Sequence, residues 1–327
     1  MKGNIVNNTP RRALPSEQSE ETRSGGKAWI VIVVVLAVLV GGGVAAYVTG
    51  LADPLIAKIP FLPAQETEEP TPEIQQGEWP LTGVFAEITP RPAVVMEMEN
   101  SPDARPLAGL ESADLVVEEA AGEDTTRLCV AFHSFMPSKV SSLGTLTATN
   151  DPMWPSGFVV LRGEQSPADY EPDPEAVSPQ PLATFDASGT GATAQRQGLL
   201  TTKISLSLPG GAQPTWDWNI SAGQWMRSEG AQVVMNPAGG QLGFTNVIIL
   251  GIEVDGGSSG DIPRANLVGE GKGIIASGQM SADITWKRDS QASLWQFFDA
   301  TGEPVVLQAG STWIHIVPLG LGSWSLS

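Results

Sequence analysis

Five polar side chains in and just after the segment ENSPDARPLAGL, residues 99–110, have types suited to ligand binding or acid–base chemistry. They are Asn100, Asp103, Arg105, Glu118 and Arg127. Two carboxylates at close range support general acid–base catalysis when the pKa of one is raised, as in glycoside hydrolysis. Arginine is equally suited to bidentate pairing with carboxylates of the protein itself. We expect Arg105 to pair within the protein, keep all five as candidate ligand-binding residues, and assign no catalytic residue.

A second acidic group surrounds Gly122 and offers oxygen ligands for a hard cation. It consists of Glu118, Glu119, Glu123 and Asp124. The group lacks the regular ligand spacing of a calcium loop. A strand end followed by a solvated turn explains it as well, so no metal and no cofactor is predicted.

The single cysteine, Cys129, lies among apolar neighbours in RLCVAF and is predicted to be a core residue. One thiol cannot form an internal disulfide or a cysteine metal cluster. His133 follows four residues later, which on a strand places the two side chains about 13 Å apart, too far for a catalytic dyad. His315 shares the face of Trp313 by alternation and is predicted to be a packed or edge histidine.

Residues 28–52 form an uncharged apolar run that predicts a transmembrane anchor. At 1.5 Å per residue, such a run crosses a hydrocarbon layer of about 30 Å. Basic residues before it and acidic sequence after it predict that residues 1–27 are a disordered cytoplasmic tail and that the rest lies outside. A cleavable signal peptide ending near Val44–Ala46 is the alternative, although the long leader favours an uncleaved anchor. Residues 53–78 are a Pro/Glu-rich spacer.

The charge of the exported part excludes one class of partner. Beyond residue 50 there are 13 Lys plus Arg against 33 Asp plus Glu, a difference of 20 negative charges. Such a field repels phosphate backbones, so no nucleic-acid partner is expected. It suits a solvated exterior protein or a cationic partner.

The first exported part, residues 79–206, is predicted to be a mixed α/β sheet domain. Apolar runs rich in Val predict four strands, at residues 93–99, 114–120, 127–135 and 157–163. The spacing of Leu107 and Leu110 favours a short helix over residues 104–113. A proline-rich stretch, residues 165–195, is predicted to be a surface excursion, either functional or a remnant.

The second part, residues 207–327, is predicted to be mainly β, which makes the whole exported part α+β. Its only predicted helix covers residues 219–230, and DATGEP, residues 299–304, predicts a hairpin turn. Seven tryptophans lie between residues 216 and 327. We expect most of them in the core, with an exposed sugar- or protein-binding face as the alternative.

Three segments together resemble a known family. They are residues 80–134, from PLTGVF onwards through ENSPDARPLAGLESADLVVEEA, then PSKVSSLG, and then GIIASGQMSADITWKRDS with FFDATGEPVVLQAGSTWIHIVP. Asn100, Asp103, Arg105 and Asp114 fall in family order in the first block, and Arg288 and Gly310 match in the last. The chain resembles the YerB-like bacterial cell-envelope lipoproteins, a two-domain family of unknown function. The resemblance implies two domains outside the membrane and no particular activity.

Two departures from the family pattern affect any inherited site. TLTATND replaces a Pro-Val-Arg-Ser-x-Arg stretch and carries no positive charge, and RQGLLTTK replaces a stretch that contains histidine. The cysteine that would carry a lipid is replaced by the apolar run. A site made of those polar groups would be largely lost here.

The sequence favours a membrane-anchored, extracytoplasmic binding or scaffold protein of the cell envelope, without catalysis. Its expected partner is a cell-wall polymer or an envelope protein. The alternative is a wall hydrolase that uses Asp103 or Glu118 as its acid. A sensory ectodomain is disfavoured because residues 1–27 contain no foldable output domain.

Overall fold

The computed structural model folds almost entirely as β-strands in the residues that it describes. These are residues 75–122, 125–141, 154–162, 165–173, 175–254 and 265–327. The predicted cytoplasmic tail, the predicted anchor at residues 28–52 and nearly all of the spacer lie outside them, as does TLTATND. Within the described ranges, no helix combines the length and apolarity needed to cross a membrane.

Eight strands precede residue 203 in the ranges that the structure describes. They are β1 Gln75–Glu78, β2 Phe85–Ile88, β3 Ala93–Asn100, β4 Leu115–Gly122, β5 Thr125–Phe132, β6 Phe158–Val160, β7 Thr184–Asp186 and β8 Leu199–Leu200. The four strands predicted in this part are all present, as β3 to β6.

Twelve strands follow in the described part of the C-terminal half, which confirms its β-rich prediction. They are β9 Lys203–Ser207, β10 Pro214–Asn219, β11 Gln224–Glu229, β12 Gln232–Val233, β13 Gly243–Phe244, β14 Asn246–Ile252, β15 Gly269–Ser277, β16 Met280–Arg288, β17 Gln296–Phe298, β18 Val306–Gln308, β19 Thr312–Pro318 and β20 Ser323–Leu326.

The α+β prediction is wrong, because the described chain is mainly β. The only α-helix in the described ranges is α1, Thr193–Gln197, and it has five residues. The helix predicted over residues 104–113 is replaced by two 3-10 turns, Pro102–Ala104 and Leu110–Ser112. Pro106 interrupts the segment, and Gly109 takes a φ of 87°, which ends any continuous right-handed helix.

The helix predicted over residues 219–230 is also wrong, since this segment is a hairpin turn followed by β11. The side-chain Oδ1 of Asn219 accepts hydrogen bonds from the backbone N–H groups of Ser221 and Ala222, both at 3.0 Å. Asn219 therefore caps a turn rather than a helix. Trp225 and Arg227 then point inward two residues apart, with the period of a strand.

A large mixed sheet forms the centre of the described structure. Ten of the described strands belong to it, nine of them in the order β17-β16-β15-β14-β19-β4-β5-β3-β6, with β8 added beside β16. Strand β19 pairs in parallel with β14 on one side and with β4 on the other. The strands of both predicted domains therefore lie in one sheet, and the predicted boundary near residue 206 falls at the end of β9.

A second sheet covers one face of the large sheet. Its order is β12-β11-β10-β9-β20, with β13 beside β11. Val116 and Val130 of the large sheet share a core here with Trp216 and Trp225 of the second sheet. We call this side of the large sheet the inner face.

The opposite, outer face of the large sheet is covered by shorter segments. Val117 and Ile314 pack there with Leu182 and with Ala194 of α1. Burial on both faces explains why β14 and β19 consist almost wholly of buried residues.

Most tryptophans of the second half lie in these two cores, as predicted. Trp216, Trp225, Trp286, Trp295 and Trp313 are each at most 2% exposed. Cys129 is also a core residue, as predicted, and burial raises the pKa of its thiol. The predicted DATGEP turn is confirmed, because Asp299 Oδ1 accepts hydrogen bonds from the N–H groups of Thr301 and Glu303.

Candidate functional site

Three of the five candidate residues meet on the inner face of the large sheet. Asn100 ends β3, Glu118 lies in β4, and Arg105 follows the 3-10 turn after β3. Asp103 lies exposed on that turn. Arg127 alternates to the outer face of β5, beside the outer-core Cys129. The five predicted residues therefore do not form one site.

Strand alternation decides which acidic side chain of β4 enters the core between the sheets. Val116 contributes to the inner core and Val117 to the outer core. Glu118 therefore points inward and Glu119 outward. The two carboxylates cannot share a cation, and the remaining two acids of the predicted cation group, residues 123 and 124, lie outside the described residues.

The Glu118 carboxylate is wholly buried and accepts several hydrogen bonds. Its Oε1 accepts from Thr126 Oγ1 at 2.7 Å and from Arg227 Nη2 at 2.9 Å. Its Oε2 accepts from Trp313 Nε1 at 2.9 Å. His315 Nδ1 lies 3.1 Å from the same Oε2. This ring of donors replaces the water that the carboxylate loses on folding.

Arg227, from β11 of the second sheet, is the cation that balances Glu118. Its side chain is 1% exposed, and its guanidinium carbon lies 5.2 Å from the ring centroids of both Trp216 and Trp313. Its Nη2 also contacts Glu229 Oε2 at 2.9 Å. Two aromatic faces and two carboxylates together solvate the guanidinium.

His315 is neutral in this arrangement, and its tautomer follows from one neighbour. The indole Nε1 of Trp216, which can only donate, lies 2.8 Å from His315 Nε2. Nε2 must therefore be the lone-pair nitrogen, and the proton is on Nδ1, beside Glu118. Burial lowers the pKa of His315, which agrees with the neutral ring.

Arg105 lies at the more exposed edge of the cluster. Its Nε donates to Asn100 Oδ1 at 2.9 Å, and its Nη2 lies 3.8 Å from Glu229 Oε2. Glu229 Oε1 accepts from the backbone N–H of Gln213 at 2.8 Å. The cluster therefore holds two carboxylates and two guanidinium groups. Arg105 contacts the protein itself, as the sequence led us to expect.

The pKa values of the two carboxyl groups in the cluster are shifted in opposite directions. Burial by itself would raise the pKa of Glu118, but the charge of Arg227 lowers it well below its usual range. Burial raises the pKa of Glu229, which lies nearer the rim, although Arg227 opposes this. Glu118 is thus ionised at neutral pH, as the partner of Arg227.

The geometry of this cluster suits alignment of the two sheets rather than chemistry on a ligand. Glu118 and His315 are both 0% exposed, so no solute reaches them. A buried ion pair gains little net free energy because both ions lose hydration. It instead penalises any arrangement that separates Glu118 on one sheet from Arg227 on the other.

Arg127 forms a separate ion-pair group on the outer face. Its guanidinium is paired with Glu119 through a short contact and lies 3.7 Å from Glu97 Oε1. Burial raises the pKa of Glu97, which is 8% exposed. Arg127 thus also forms ion pairs with carboxylates of the protein itself.

A third polar group joins the start of β4 to the end of β5. The buried Asp114 carboxylate accepts hydrogen bonds from the backbone N–H groups of His133 and Ser134. His133 Nε2 lies 3.0 Å from the carbonyl oxygen of Arg91, so the ring donates from Nε2. Burial lowers the pKa of His133 to about 4, and the ring is neutral at pH 7.

A groove of about 590 Å³ opens on the described surface. Its two long walls are residues 180–184 and residues 292–298, and Pro155, Pro304 and Val305 complete it. None of the fifteen lining residues is Asp, Glu, His, Lys, Arg, Cys or Tyr. The groove is therefore a mixed apolar and amide- or hydroxyl-bearing surface without an ionisable group.

Both walls of the groove are held by contacts behind them. Arg288, 1% exposed, lies under Trp295 at 4.6 Å from its ring centroid and donates to the carbonyl oxygens of Gln291 and Ser293, both at 2.8 Å. On the other wall, the N–H of Leu182 donates to the carbonyl oxygen of Pro80 at 3.0 Å. The groove is thus preformed.

A second cavity, of about 380 Å³, adjoins the groove. Phe298 lines both, and the second cavity also carries the charged side chains of Glu270, Lys272 and Lys287. Sequence reasoning missed the groove because its walls come from segments more than 100 positions apart. The only signal was the unexplained length of residues 165–195, which supply one wall.

Comparison with known proteins places the chain among relatives that share this architecture. Residues 81–145 match the N-terminal domain, and residues 204–314 the C-terminal domain, of the protein family of unknown function DUF3048. The chain belongs to this family. The predicted YerB-like resemblance is thereby confirmed.

Two matches to Bacillus subtilis YerB support the assignment. A protein named as a candidate lipoprotein, YerB, is 43% identical over 63 residues, which span 19% of each chain. The crystal structure of YerB from the same organism matches with a TM-score of 0.59 at 18% identity, covering 76% of this chain and 99% of that one. The structural match shows a shared fold.

Proposed function

We propose that this protein is a non-catalytic binding or scaffold protein of the bacterial cell envelope, exposed outside the membrane. The observation that carries the proposal is the lining of the groove. It has the volume of a ligand site, which is roughly 300–1,000 Å³, yet no lining side chain can act as a general acid or base. The hydroxyls of Thr184 and Ser293 therefore have no base among the lining residues to activate them as nucleophiles. A preformed surface of this kind binds without reacting.

The hydrolase alternative finds no matching geometry. Its two proposed acids were Glu118 and Asp103. Glu118 is enclosed between the sheets, whereas Asp103 is exposed on a turn. A hydrolase of this type needs two carboxyl groups that flank one substrate bond.

A binding experiment with the full-length chain tests the proposal. Intact cells carrying a tagged chain are treated with a short-range crosslinker, and the recovered material is analysed for wall polymer and for protein. We expect one component to be enriched reproducibly over an unrelated tagged membrane protein. Recovery of neither, or turnover of purified wall fragments by the chain, contradicts the proposal.

Membrane anchoring by residues 28–52 is a separate part of the proposal, supported by the apolar run; the name of the relative supports membrane association only. The full-length chain should stay with membranes during an alkaline wash, and a chain lacking residues 28–52 should be released. Cysteines placed at positions 13 and 65 should react differently with an impermeant maleimide in intact cells, with labelling only at 65. Equal release of both chains, or labelling at 13, contradicts this part.

A further inference from the structure

We propose that the groove between residues 180–184 and residues 292–298 binds an uncharged saccharide segment. This inference rests on the proposed function, since it names the class of component that the binding protein takes. It goes further because it assigns the contact to one surface, which shares no residue with the five candidates of the sequence.

The charge pattern of the groove selects an uncharged ligand. The exported chain carries a large excess of acidic groups, yet all fifteen residues lining the groove are uncharged. A phosphate, a carboxylate or an ammonium group would be desolvated there without a charged partner, which is unfavourable. A neutral ligand avoids that loss.

The polar side chains of the groove are of types that can form hydrogen bonds with sugars. Gln180 and Gln296 are exposed, and an amide side chain offers both donors and an acceptor. Thr184 is exposed as well, and its hydroxyl both donates and accepts. Sugar hydroxyl and acetamido groups also donate and accept, so each of these side chains can match them.

The apolar groups supply the second half of sugar recognition. Phe298 is half-buried and lines both cavities, and Pro181 and Pro304 are exposed. The C–H faces of a pyranose ring are apolar and pack on flat apolar side chains. Because Arg288 and Pro80 hold the walls in place, little conformational entropy is lost on binding.

An extended peptide fits the groove less well, because three backbone edges of its walls are already paired. The carbonyl oxygen of Phe297 accepts from the N–H of Val305 at 2.9 Å, and the other edge of β17 pairs with β16. Thr184 is paired with Val306 of β18. Strand addition needs free N–H and C=O groups along an edge, and neither the edges of β17 nor the edge of β7 beside β18 offers them.

The test is calorimetric titration of the full-length chain in nanodiscs with chitotetraose, a neutral β-linked N-acetylglucosamine tetramer. We expect saturable binding that Phe298→Ala and Gln296→Ala each weaken about tenfold. The matched controls Phe85→Ala and Gln232→Ala change exposed residues of the same types away from the groove and should bind like the parent chain. Circular dichroism verifies that all four variants are folded.

Two further ligands separate this proposal from its competitors. A hyaluronan tetrasaccharide, in which glucuronate replaces every second sugar, should bind at least about tenfold more weakly, and a proline-rich peptide should not bind. Cellotetraose, a neutral β-linked glucose tetramer, is titrated in the same way as chitotetraose. The proposal is overturned if neither of these two neutral sugars binds. It is also overturned if the groove variants bind them unchanged, or if the peptide or the hyaluronan binds as tightly.

Failure of the saccharide inference can be distinguished from failure of the proposed function. If crosslinking in cells recovers an envelope component equally well with the parent chain and with Phe298→Ala, the envelope role stands and the saccharide groove is wrong. If neither chain recovers any component, the proposed function itself fails.

Discussion

At the scale of single residues, the buried ion pair of Glu118 and Arg227 is the feature whose loss should cost most. Glu118→Gln keeps the shape of the side chain but removes the charge, so the Arg227 guanidinium stays buried without its main counter-ion. We expect a loss of about 3–5 kcal/mol in the free energy of unfolding, measured by urea denaturation. Asp103→Asn, on an exposed turn, should leave the unfolding curve unchanged. Equal stability of Glu118→Gln and the parent chain would contradict a structural role.

His133 should make the protein less stable in mild acid. Its pKa is about 4 in the folded chain and about 6.5 in the unfolded chain. As the pH falls from about 6.5 towards 4, only the unfolded state takes up the proton, so stability is lost across that window, by up to about 3 kcal/mol. His133→Gln can still donate to the Arg91 carbonyl oxygen and does not titrate.

The measurement is the urea midpoint of the parent chain and of His133→Gln at pH 7 and at pH 5. The parent chain should lose more stability than the variant on acidification. An identical loss in both proteins would show that His133 does not contribute, and would leave the buried His315, the second of the two histidines in the chain, as the group to test.

Sequence reasoning predicted the environment of single residues better than their partners. The suitability of arginine for pairing with carboxylates led to an internal role for Arg105, which the structure shows. Arg227 was missed, because it lies 109 positions after Glu118 and comes from the other sheet. Strand periodicity tells which way a side chain points. It does not tell which strand lies opposite.

At the scale of elements, the turn before β19 depends on one glycine. Gly310 has a φ of 142°, and a Cβ at this position would lie 2.1 Å from Thr245 Oγ1. Gly310→Ala should therefore lower the free energy of unfolding by about 1–3 kcal/mol. Gly302 also has a positive φ, of 87°, but a Cβ there would meet nothing within 4 Å, so Gly302→Ala is the matched control.

The difference between these two variants isolates the contact with Thr245 from the backbone conformation. Thermal unfolding of both, at the same pH and concentration, should give the lower midpoint for Gly310→Ala. If Gly302→Ala is equally destabilised, the steric contact has no role and the backbone conformation accounts for the loss.

The two errors in element type have different physical causes. Pro106 and Gly109 end the helix predicted over residues 104–113, and strand pairing replaces the helix predicted over residues 219–230. Two leucines three positions apart favour a helix over residues 104–113. Capping residues at both ends favour one over residues 219–230 when that segment is considered alone. In the folded chain, β11 pairs with β10 as a strand. Trp225 and Arg227, two residues apart, therefore both point towards the inner core. Tertiary pairing overrides local preference in such short segments.

At the scale of the whole molecule, the large sheet should make both halves unfold together. Strand β4 from the first half is paired with β19 from the second half, between Leu115↔Thr312 and Glu118↔His315. A fragment of residues 79–206 would lack β19 and leave the buried edge of β4 unpaired. We expect circular dichroism and the narrow dispersion of amide proton chemical shifts to show that this fragment is unfolded.

The full-length chain is the control for that fragment, and its urea transitions followed by tryptophan emission and by far-ultraviolet circular dichroism should coincide. A folded fragment, or two separate transitions in the full chain, would show that each half is an independent folding unit.

The pairing of β4 with β19 also sets the order in which the protein can mature during its synthesis. The paired residues Leu115 and Thr312 are 197 positions apart, and a ribosome adds about 5–20 residues per second. For roughly 10–40 s the nascent chain therefore has the edge of β4 that faces β19 without a strand partner. Until then it is a substrate for chaperones and for proteases, and late truncations should be cleared from the cell rather than accumulate.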